Sequence, residues 1–248
     1  MIRRDRILGS RVDAGPGGEF LGRILSLAES GRTSRVLFAN VHMLVESGRN
    51  PLLRAAMEDA DLVCPDGMPV ARLLSLRRGG SDRMEGMSAF PGLLPLAETA
   101  GTPVALFGST AEVLAATSDK IRREHPGLRL VLELSPPFGS GLETGFAEDL
   151  ARLRESGARL VFVALGCPRQ ELWMAEVREV GACFLGVGNA FEVYAGLRSR
   201  PPRWVRSLCL EWLVRLVREP RRLGWRYAST NARFLLGLPG EILRRRSP

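Results

Sequence analysis

The stretch that decides the fold runs from residue 103 to residue 191, where short apolar runs alternate with amphipathic ones. The apolar runs are PVALFG (103–108), LRLVLELSPPFGSG (128–141), RLVFVALG (159–166) and ACFLGVGNAF (182–191). Helix-like spacing separates them at AEVLAATSDKIRREH (111–125), near residues 144–155 and from about Gln170. This alternation predicts parallel strands joined by crossover helices, that is, an α/β, Rossmann-like sheet.

The first hundred residues carry a weaker form of the same pattern. GEFLGRILSLAES (18–30) has helical spacing, VLFAN (36–40) is typical of a short buried strand, and DLVCPDG (61–67) indicates a strand that ends in a turn. Further helices fit around residues 41–48, 51–59 and 68–77, whereas residues 1–17 are polar and glycine-rich and receive no element. The RSRPPRW run interrupts the pattern near Arg198–Pro202. We therefore expect an α/β core over residues 1–197 and a basic helical appendage over residues 198–248.

Length and composition exclude several classes of protein. A chain of 248 residues with 45% hydrophobic and 25% charged residues suits one folded α/β domain with an appendage, and excludes a disordered or fibrous protein. No window approaches about 18 uninterrupted apolar residues, and the N-terminus lacks the apolar core of a signal peptide, so we expect neither a membrane span nor export. The four cysteines show no C-x-x-C spacing, which predicts reduced thiols in the cytosol and no structural metal.

The basic character belongs to the C-terminal fifth of the chain. Residues 198–248 hold thirteen arginines and three glutamates, a local balance of +10, which leaves about −2 of the overall +8 for residues 1–197. Such a segment can meet phosphates of nucleic acid, of a nucleotide or of anionic lipid, and a solvated basic helical face is the alternative.

The same segment has the composition of an interfacial helix. Trp204, Leu208, Trp212 and Arg215 fall on one side of a helix, with arginines beside the apolar stripe. A helix packed on the protein's own core is the competing interpretation, and the two can hold in different states. The predicted membrane-association residues are Trp204, Arg206, Trp212, Arg218, Arg221, Trp225 and Arg226.

Five loops follow predicted strands and are candidates for ligand binding: NVH (40–42), PDG (65–67), GST (108–110), GCPRQE (166–171) and GVGNAFE (186–192). In parallel sheets, ligands gather at the carboxyl ends of strands, where glycine-rich loops let backbone N–H groups approach anions. Asp66 projects from such an end and suits a general base, although Asp before Gly is also common in plain β-turns.

Two further loops contain side chains with more than one interpretation. Arg83 lies in SDRMEG (81–86), which looks like a mobile loop, and a guanidinium there can clamp a diphosphate or simply be solvated. Gln170 and Glu171 can hydrogen-bond sugar hydroxyls or belong to an ordinary first helical turn. The glycines near Gly188 do not complete a G-x-G-x-x-G fingerprint, because Phe191 stands where the third glycine belongs, and this disfavours a nicotinamide enzyme.

Taken in order, these motifs resemble the WecG/TagA/CpsF family of bacterial glycosyltransferases, glycosyltransferase family twenty-six. The resemblance runs from about Val36 to Phe234. Its residues are FANVHMLVES, ADLVCPDGMPVARLL, Arg83 before Gly86, SPPFG (135–139), LGCPRQELW, GVGNAF and RPPRW followed by LEWLVRLVREPRRL. The chain departs from the family pattern at Phe38, where many relatives have Thr, and at Glu192, where relatives commonly have Asp.

The resemblance implies a cytosolic enzyme, peripheral to the inner face of the bacterial cytoplasmic membrane, that takes part in teichoic acid, common antigen or exopolysaccharide synthesis. It implies inverting, metal-independent transfer, without a cofactor, from a UDP-sugar to a polyprenyl-diphosphate-linked saccharide. Asp66 becomes the candidate base and Arg83 the diphosphate-binding residue. The expected substrate-binding residues are Asn40, Gly108, Gln170, Glu171, Gly188, Phe191, Glu192, Arg215 and Arg222.

The sequence leaves several alternatives open. N-acetylmannosamine, its uronic acid, glucose and glucuronate are all candidate sugars, and a homo-oligomer is compatible with the sequence. A non-catalytic membrane-bound scaffold is one rival, and the presence of Asp66 argues against it. A nucleic-acid-binding protein is the other; because no known nucleic-acid-binding module is recognised, we expect no nucleic acid partner.

Overall fold

A computed structural model describes residues 1–136 and 146–200, together with Val205, Leu213, Phe234, Leu236, Gly240 and Glu241. Its strands are β1 (Arg3–Ile7), β2 (Ser10–Ala14), β3 (Ser34–Ala39), β4 (Leu62–Pro65), β5 (Val104–Gly108), β6 (Leu130–Leu134), β7 (Leu160–Ala164) and β8 (Cys183–Gly186). Its helices are α1 (Gly17–Glu29), α2 (Val41–Ser47), α3 (Pro51–Asp59), α4 (Met68–Arg78), α5 (Gly86–Ala100), α6 (Ala111–Glu124), α7 (Phe146–Glu155), α8 (Arg169–Glu176) and α9 (Ala190–Tyr194).

Six strands form one parallel sheet in the order β4-β3-β8-β7-β5-β6. The predicted α/β, Rossmann-like fold is therefore confirmed. Because all six strands run in the same direction, their carboxyl ends share one edge of the sheet, which we call the carboxyl edge.

Alternation along the strands divides the core between the two faces of the sheet. On β3, Leu37 and Ala39 belong to one buried cluster and Val36 and Phe38 to the other. The first cluster packs against α2, α3, α4, α7 and α8, and the second against α1, α5, α6 and α9. Apolar burial on both faces explains why the strands read as continuous hydrophobic runs.

The N-terminal residues, to which the sequence assigned no element, form the antiparallel hairpin β1–β2. This hairpin covers β4, the edge strand of the sheet. A carboxylate oxygen of Asp13 accepts the N–H of Val63 at 2.8 Å, and the Arg11 guanidinium donates to the backbone carbonyls of Ala60 and Asp61. Side chains thus satisfy backbone groups that an open edge would present to another chain.

Part of the C-terminal segment returns to the core. Val205, Phe234 and Glu241 are buried, and the guanidinium of Arg77 on α4 binds both the carboxylate and the backbone oxygen of Glu241. Leu213 and Leu236 are instead exposed. All six described residues beyond residue 200 are helical, whereas the division of the chain at residue 198 stays a prediction.

Among the helices of the described residues, none combines the length and apolarity needed to cross a membrane.

Replacing Asp13 by alanine should destabilise the protein. Arg11 and Asp13 are each 4% exposed, so the substitution leaves a buried guanidinium without its carboxylate and the Val63 N–H without its acceptor. We expect the free energy of unfolding in urea to fall by about 3–5 kcal/mol, the usual cost of breaking a buried pair. Asp119→Ala, which removes a 65% exposed carboxylate on α6, should change it by less than about 0.5 kcal/mol. Equal effects of the two substitutions would contradict the role of Asp13 in covering the edge strand β4.

Candidate functional site

The chain leaves β5 and β7 toward opposite faces of the sheet. After β5 it enters α6 on one face, and after the adjacent β7 it enters α8 on the other. Such a reversal opens a crevice at the carboxyl edge. Here the crevice is a cleft of about 340 Å³, lined by Ser109, Thr110, Pro136, Ala164, Leu165, Gly166, Arg169, Gly188, Asn189 and Glu192.

The floor of the cleft requires glycine at position 108. Gly108 has φ +101°, and a Cβ atom there would lie 2.7 Å from the carbonyl oxygen of Ala164 on β7. The next residue, Ser109, donates its N–H to that same oxygen at 3.0 Å. Gly108 therefore acts through its backbone, by letting β5 and β7 end close together beneath the cleft.

Gln170 joins the loops that follow β7 and β8. Its Oε1 accepts the N–H groups of Gly166 at 3.2 Å and of Gly188 at 3.1 Å. Its Nε2 donates to the carbonyl of Gly186 at 2.9 Å and to a carboxylate oxygen of Glu171 at 2.8 Å. Every hydrogen-bonding position of this buried amide is thus used within the chain. The N–H groups of the two glycines point at Gln170, which therefore shapes the cleft by holding its two loops.

Glu171 is a buried carboxyl group beneath the same loops. It is 1% exposed, and its Oε2 has no hydrogen-bond partner among the described residues. Burial raises the pKa of Glu171 to about 7, although hydrogen bonds from Gln170 and the Cys167 thiol partly oppose the shift. Glu171 therefore holds a proton under mildly acidic conditions and does not face solvent.

Asn40 and Asp66 come together at the other half of the carboxyl edge. Asn40 caps α2 by accepting the N–H of Met43 at 3.0 Å, and its Nδ2 lies 3.5 Å from Oδ2 of Asp66. The Asp66 N–H donates to the carbonyl of Ala39 at the end of β3. Both side chains are half-buried, so a carboxylate oriented by a fixed amide sits at this edge.

The stretch that contains Arg83 is hydrogen-bonded to its surroundings. Asp82 bonds with the backbone of Gly15 and Gly17, and the N–H of Met84 donates to the carbonyl of Pro65 at 2.9 Å. Since Pro65 precedes Asp66 and Met84 follows Arg83, that hydrogen bond brings Arg83 close to Asp66. The Arg83 side chain is 16% exposed and lies 3.5 Å from a carboxylate oxygen of Glu85.

Two residues of the GVGNAFE loop have different surroundings. Phe191 is fully buried, with its ring 5.2 Å from that of Phe90, so it supports the cleft from the core. Glu192 lines the cleft and pairs with Arg198 at 3.4 Å. Phe38, one of the departures from the family pattern, is 3% exposed and belongs to the core of the sheet.

No group of three or more His, Cys, Asp or Glu side chains within residues 1–136 and 146–200 is arranged to hold a metal ion. The sequence contains one Asp-x-Asp pattern, Asp59-Ala60-Asp61, a pattern that binds metals in some glycosyltransferases. It precedes β4 and therefore lies at the amino edge of the sheet, where Asp61 accepts the N–H of Arg35.

The predicted C-terminal site residues lie outside the described residues. They are Arg215 and Arg222 of the active site, and Trp204, Arg206, Trp212, Arg218, Arg221, Trp225 and Arg226 of the membrane-association set. Their roles stay predictions.

The sequence reasoning passed over three charged residues of the site. Arg169 lines the cleft, whereas Glu85 and Arg200 contact each other at the half of the carboxyl edge that holds Asp66. Arg169 was accessible to sequence reasoning, because it lies within the GCPRQE loop that follows a strand. Glu85 and Arg200 carried no such signal, since they are distant in sequence and neither directly follows a predicted strand.

The chain is similar to a known protein family. The model of the glycosyl transferase WecG/TagA/CpsF family matches residues 6–248. The matched region begins within β1 and covers the rest of the hairpin, the sheet and the basic C-terminal segment, which agrees with the resemblance predicted from the motifs.

Replacing Glu171 by glutamine should change how stability depends on pH. The pKa of Glu171 in the folded state, about 7, lies above the ordinary 4.5. The contribution of Glu171 to the stability of the wild type is therefore fully present below pH 4.5 and is lost as the pH rises through about 7. Glutamine stays neutral and can still accept from Gln170. The free energy of unfolding of Glu171→Gln relative to wild type should therefore rise by about 3 kcal/mol over that window and level off above it.

Urea unfolding at a series of pH values measures this difference. Glu29→Gln, at an exposed position on α1, is the matched control and should give a flat difference over the same window. A flat difference for Glu171→Gln would contradict its raised pKa.

Proposed function

Because the chain belongs to the WecG/TagA/CpsF family of glycosyltransferases, we propose that it transfers a hexose derivative from a UDP-sugar to a polyprenyl-diphosphate-linked saccharide. Family membership supports a sugar donor and a sugar-accepting substrate. The UDP carrier, the lipid-linked acceptor, the hexosyl class and the inverting, metal-independent course are the finer parts of the proposal.

The observation that carries the proposal is the Asn40–Asp66 pair at the carboxyl edge. In the proposed reaction, Asp66 accepts the proton of the acceptor hydroxyl while that oxygen attacks the anomeric carbon of the donor. The bond between the anomeric carbon and the UDP oxygen breaks, and UDP leaves with the electron pair from the opposite face, so the configuration inverts. The Asn40 amide, 3.5 Å from Oδ2 of Asp66, holds the carboxylate in place.

The cleft beyond β7 suits the donor nucleotide. Arg169 offers a cation for a phosphate, and Glu192 offers a carboxylate that accepts hydrogen bonds from hydroxyl groups. The ends of β4 and β7 are three strands apart, about 14 Å at the usual inter-strand spacing. The base and the uridine thus have separate places on one edge, with the sugar and the diphosphate between them.

Arginines take the part that a metal ion plays in many glycosyltransferases. The departing UDP gains negative charge, which a fixed guanidinium stabilises most strongly in a site shielded from water. Arg83 is adjacent to the proposed base, and we propose that Arg215 and Arg222 complete this set from the C-terminal segment.

We also propose that the C-terminal segment binds the inner face of the cytoplasmic membrane, where a polyprenyl acceptor resides. Its excess of arginine and its tryptophans favour contact with anionic lipid. The exposed Leu213 and Leu236 agree with an apolar surface on this segment, while Phe234 and Glu241 hold another part of it on the core.

Asp66→Asn should abolish most of the transfer without preventing nucleotide binding. Asparagine preserves the size of the side chain but cannot accept the proton, so turnover should fall by roughly 10²–10⁴-fold. The measurement is UDP release by the full-length protein with a panel of UDP-sugars and an extracted lipid acceptor, which also identifies the sugar. UDP, unlike AMP, should raise the melting temperature of wild type and variant equally.

Asp119→Asn, which makes the same change at an exposed position on α6, should have wild-type turnover. Near-wild-type turnover of Asp66→Asn at saturating substrate would remove Asp66 from the role of base. UDP binding by the wild type without transfer to any acceptor would favour a non-catalytic scaffold instead.

The membrane proposal is tested by flotation of the full-length protein with vesicles at low salt. Wild type should float with anionic vesicles and not with zwitterionic ones. Arg218→Ala/Arg221→Ala should weaken partitioning about 30-fold, since each arginine near an anionic surface contributes about 1 kcal/mol. Arg122→Ala/Arg129→Ala removes the same charge from exposed positions on the core and should float like wild type. If the wild type did not float with anionic vesicles, the result would contradict the membrane proposal.

A further inference from the structure

The guanidinium of Arg77, in the last turn of α4, joins three parts of the chain. Its Nε and Nη2 donate to the backbone oxygen of Glu241 at 3.0 and 2.5 Å, and Nη2 also contacts the Glu241 carboxylate. Its Nη1 donates to the backbone oxygen of Arg6 at 2.6 Å and lies 3.5 Å from Oδ1 of Asp5, both on β1. We call these four residues the Arg77 junction.

The Arg77 junction is shielded from water. The side chains of Arg77 and Glu241 are each 6% exposed, and that of Asp5 is 10% exposed. A buried charge that loses its partner is strongly destabilising. If Glu241 leaves, Arg77 keeps Asp5 and the Arg6 carbonyl, so the hairpin side of the junction can stay in place while the other side opens.

A second contact anchors the same part of the C-terminal segment. Phe234 is 5% exposed and belongs to the buried cluster to which α4 also contributes. Phe234 and Glu241 are both helical and are seven positions apart, the spacing of two residues on one face of a helix. Leu236, between them, is 81% exposed. An apolar side chain and a carboxylate thus hold this part of the segment on the core.

Helix α4 connects the Arg77 junction to the proposed base. It begins at Met68, two positions after Asp66. The hairpin, which Arg77 also contacts, covers β4, the strand that ends directly before Asp66. The elements on either side of the base therefore meet residue 241 through one guanidinium.

We propose that Arg77 and Glu241 are positioning residues, which hold the C-terminal segment on the core so that Arg215 and Arg222 reach the substrate. This inference rests on the proposed function, because that reaction assigns the stabilisation of the departing UDP to the two arginines of the segment.

The two arginines of the segment lie in the sequence between two buried residues. Val205 precedes them and Phe234 follows them, and both side chains are buried. Contact between Arg77 and Glu241 favours the docked state of the segment beyond Phe234. When that contact is lost, the segment is docked for a smaller fraction of the time, and the rate of transfer falls with that fraction.

Hydrogen–deuterium exchange of the full-length protein measures this docking without any substrate. In Glu241→Ala, the backbone amides of residues 230–248 should exchange about 10–100-fold faster than in wild type, the loss expected for a charge-assisted contact. The sheet should exchange at the wild-type rate. Glu58→Ala is the matched control, because it removes a carboxylate that binds Arg6 from α3 and leaves the partners of Arg77 in place. Unchanged exchange of residues 230–248 in Glu241→Ala would overturn the inference.

Transfer, followed as UDP release, tests whether the docking serves the reaction. Glu241→Ala should lower kcat about 10–100-fold, and Glu241→Gln, whose amide oxygen still accepts from Arg77, about 3–10-fold. In the Arg215→Ala/Arg222→Ala background, Glu241→Ala should cause no further loss, because the arginines that it positions are absent. Glu58→Ala should transfer at the wild-type rate.

The two measurements distinguish failure of this inference from failure of the proposed function. Glu241→Gln covers the case in which Glu241→Ala does not fold, since faster exchange and slower transfer are expected of it as well. A further loss of transfer when Glu241→Ala is added to the double variant would overturn the positioning role. A wild type that releases no UDP with any acceptor would refute the proposed function, and the exchange of residues 230–248 would still decide whether Arg77 and Glu241 hold the segment.

Discussion

The geometry of the carboxyl edge depends on the side-chain amide of Gln170. Four hydrogen bonds from one buried group tie the loop after β7 to the loop after β8. Without them, the N–H groups of Gly166 and Gly188 would be unsatisfied beside the cleft, at a cost of about 1–3 kcal/mol each. Glu171 accepts a hydrogen bond from one N–H of this amide, so a buried carboxyl group also belongs to the network. The cleft is thus shaped by a polar network inside the protein, which leaves its open side to Arg169 and Glu192.

The core and the C-terminal segment are bound together by charged contacts. Arg77 of the core binds Glu241 of the segment, and Glu85 of the core binds Arg200 of the segment. The core and the segment thus each supply one arginine and one glutamate. Both glutamates are buried, and a buried carboxylate that loses its cation is strongly destabilising. The composition boundary near residue 198 is therefore crossed by contacts that fix the segment at two places. Under the proposed function, these contacts would link the segment that binds the membrane to the carboxyl edge.

The hydrophobic pattern of the sequence did not predict two elements, the hairpin β1–β2 and helix α5, for different reasons. The hairpin β1–β2 contains mostly polar and charged residues, because it stabilises the sheet by covering the backbone of β4 with Arg11 and Asp13. Helix α5 contains Pro91 and Pro95, which normally argue against a helix interior, yet its apolar residues are buried against the sheet and α1. In both cases tertiary contacts compensate for a weak local preference.

The sequence by itself determined the parallel α/β sheet and the family of the chain. It also placed Asn40 and Asp66 at strand ends, because the length and spacing of apolar runs are local properties, and parallel strands bring their carboxyl ends to one edge. Only the tertiary structure decided that Phe191 lies in the core, that the amide of Gln170 is used within the chain, and that Glu85 meets Arg200. Periodicity specifies which face of a segment is buried. It does not specify which distant side chains meet there, because that depends on how helices and strands pack in three dimensions.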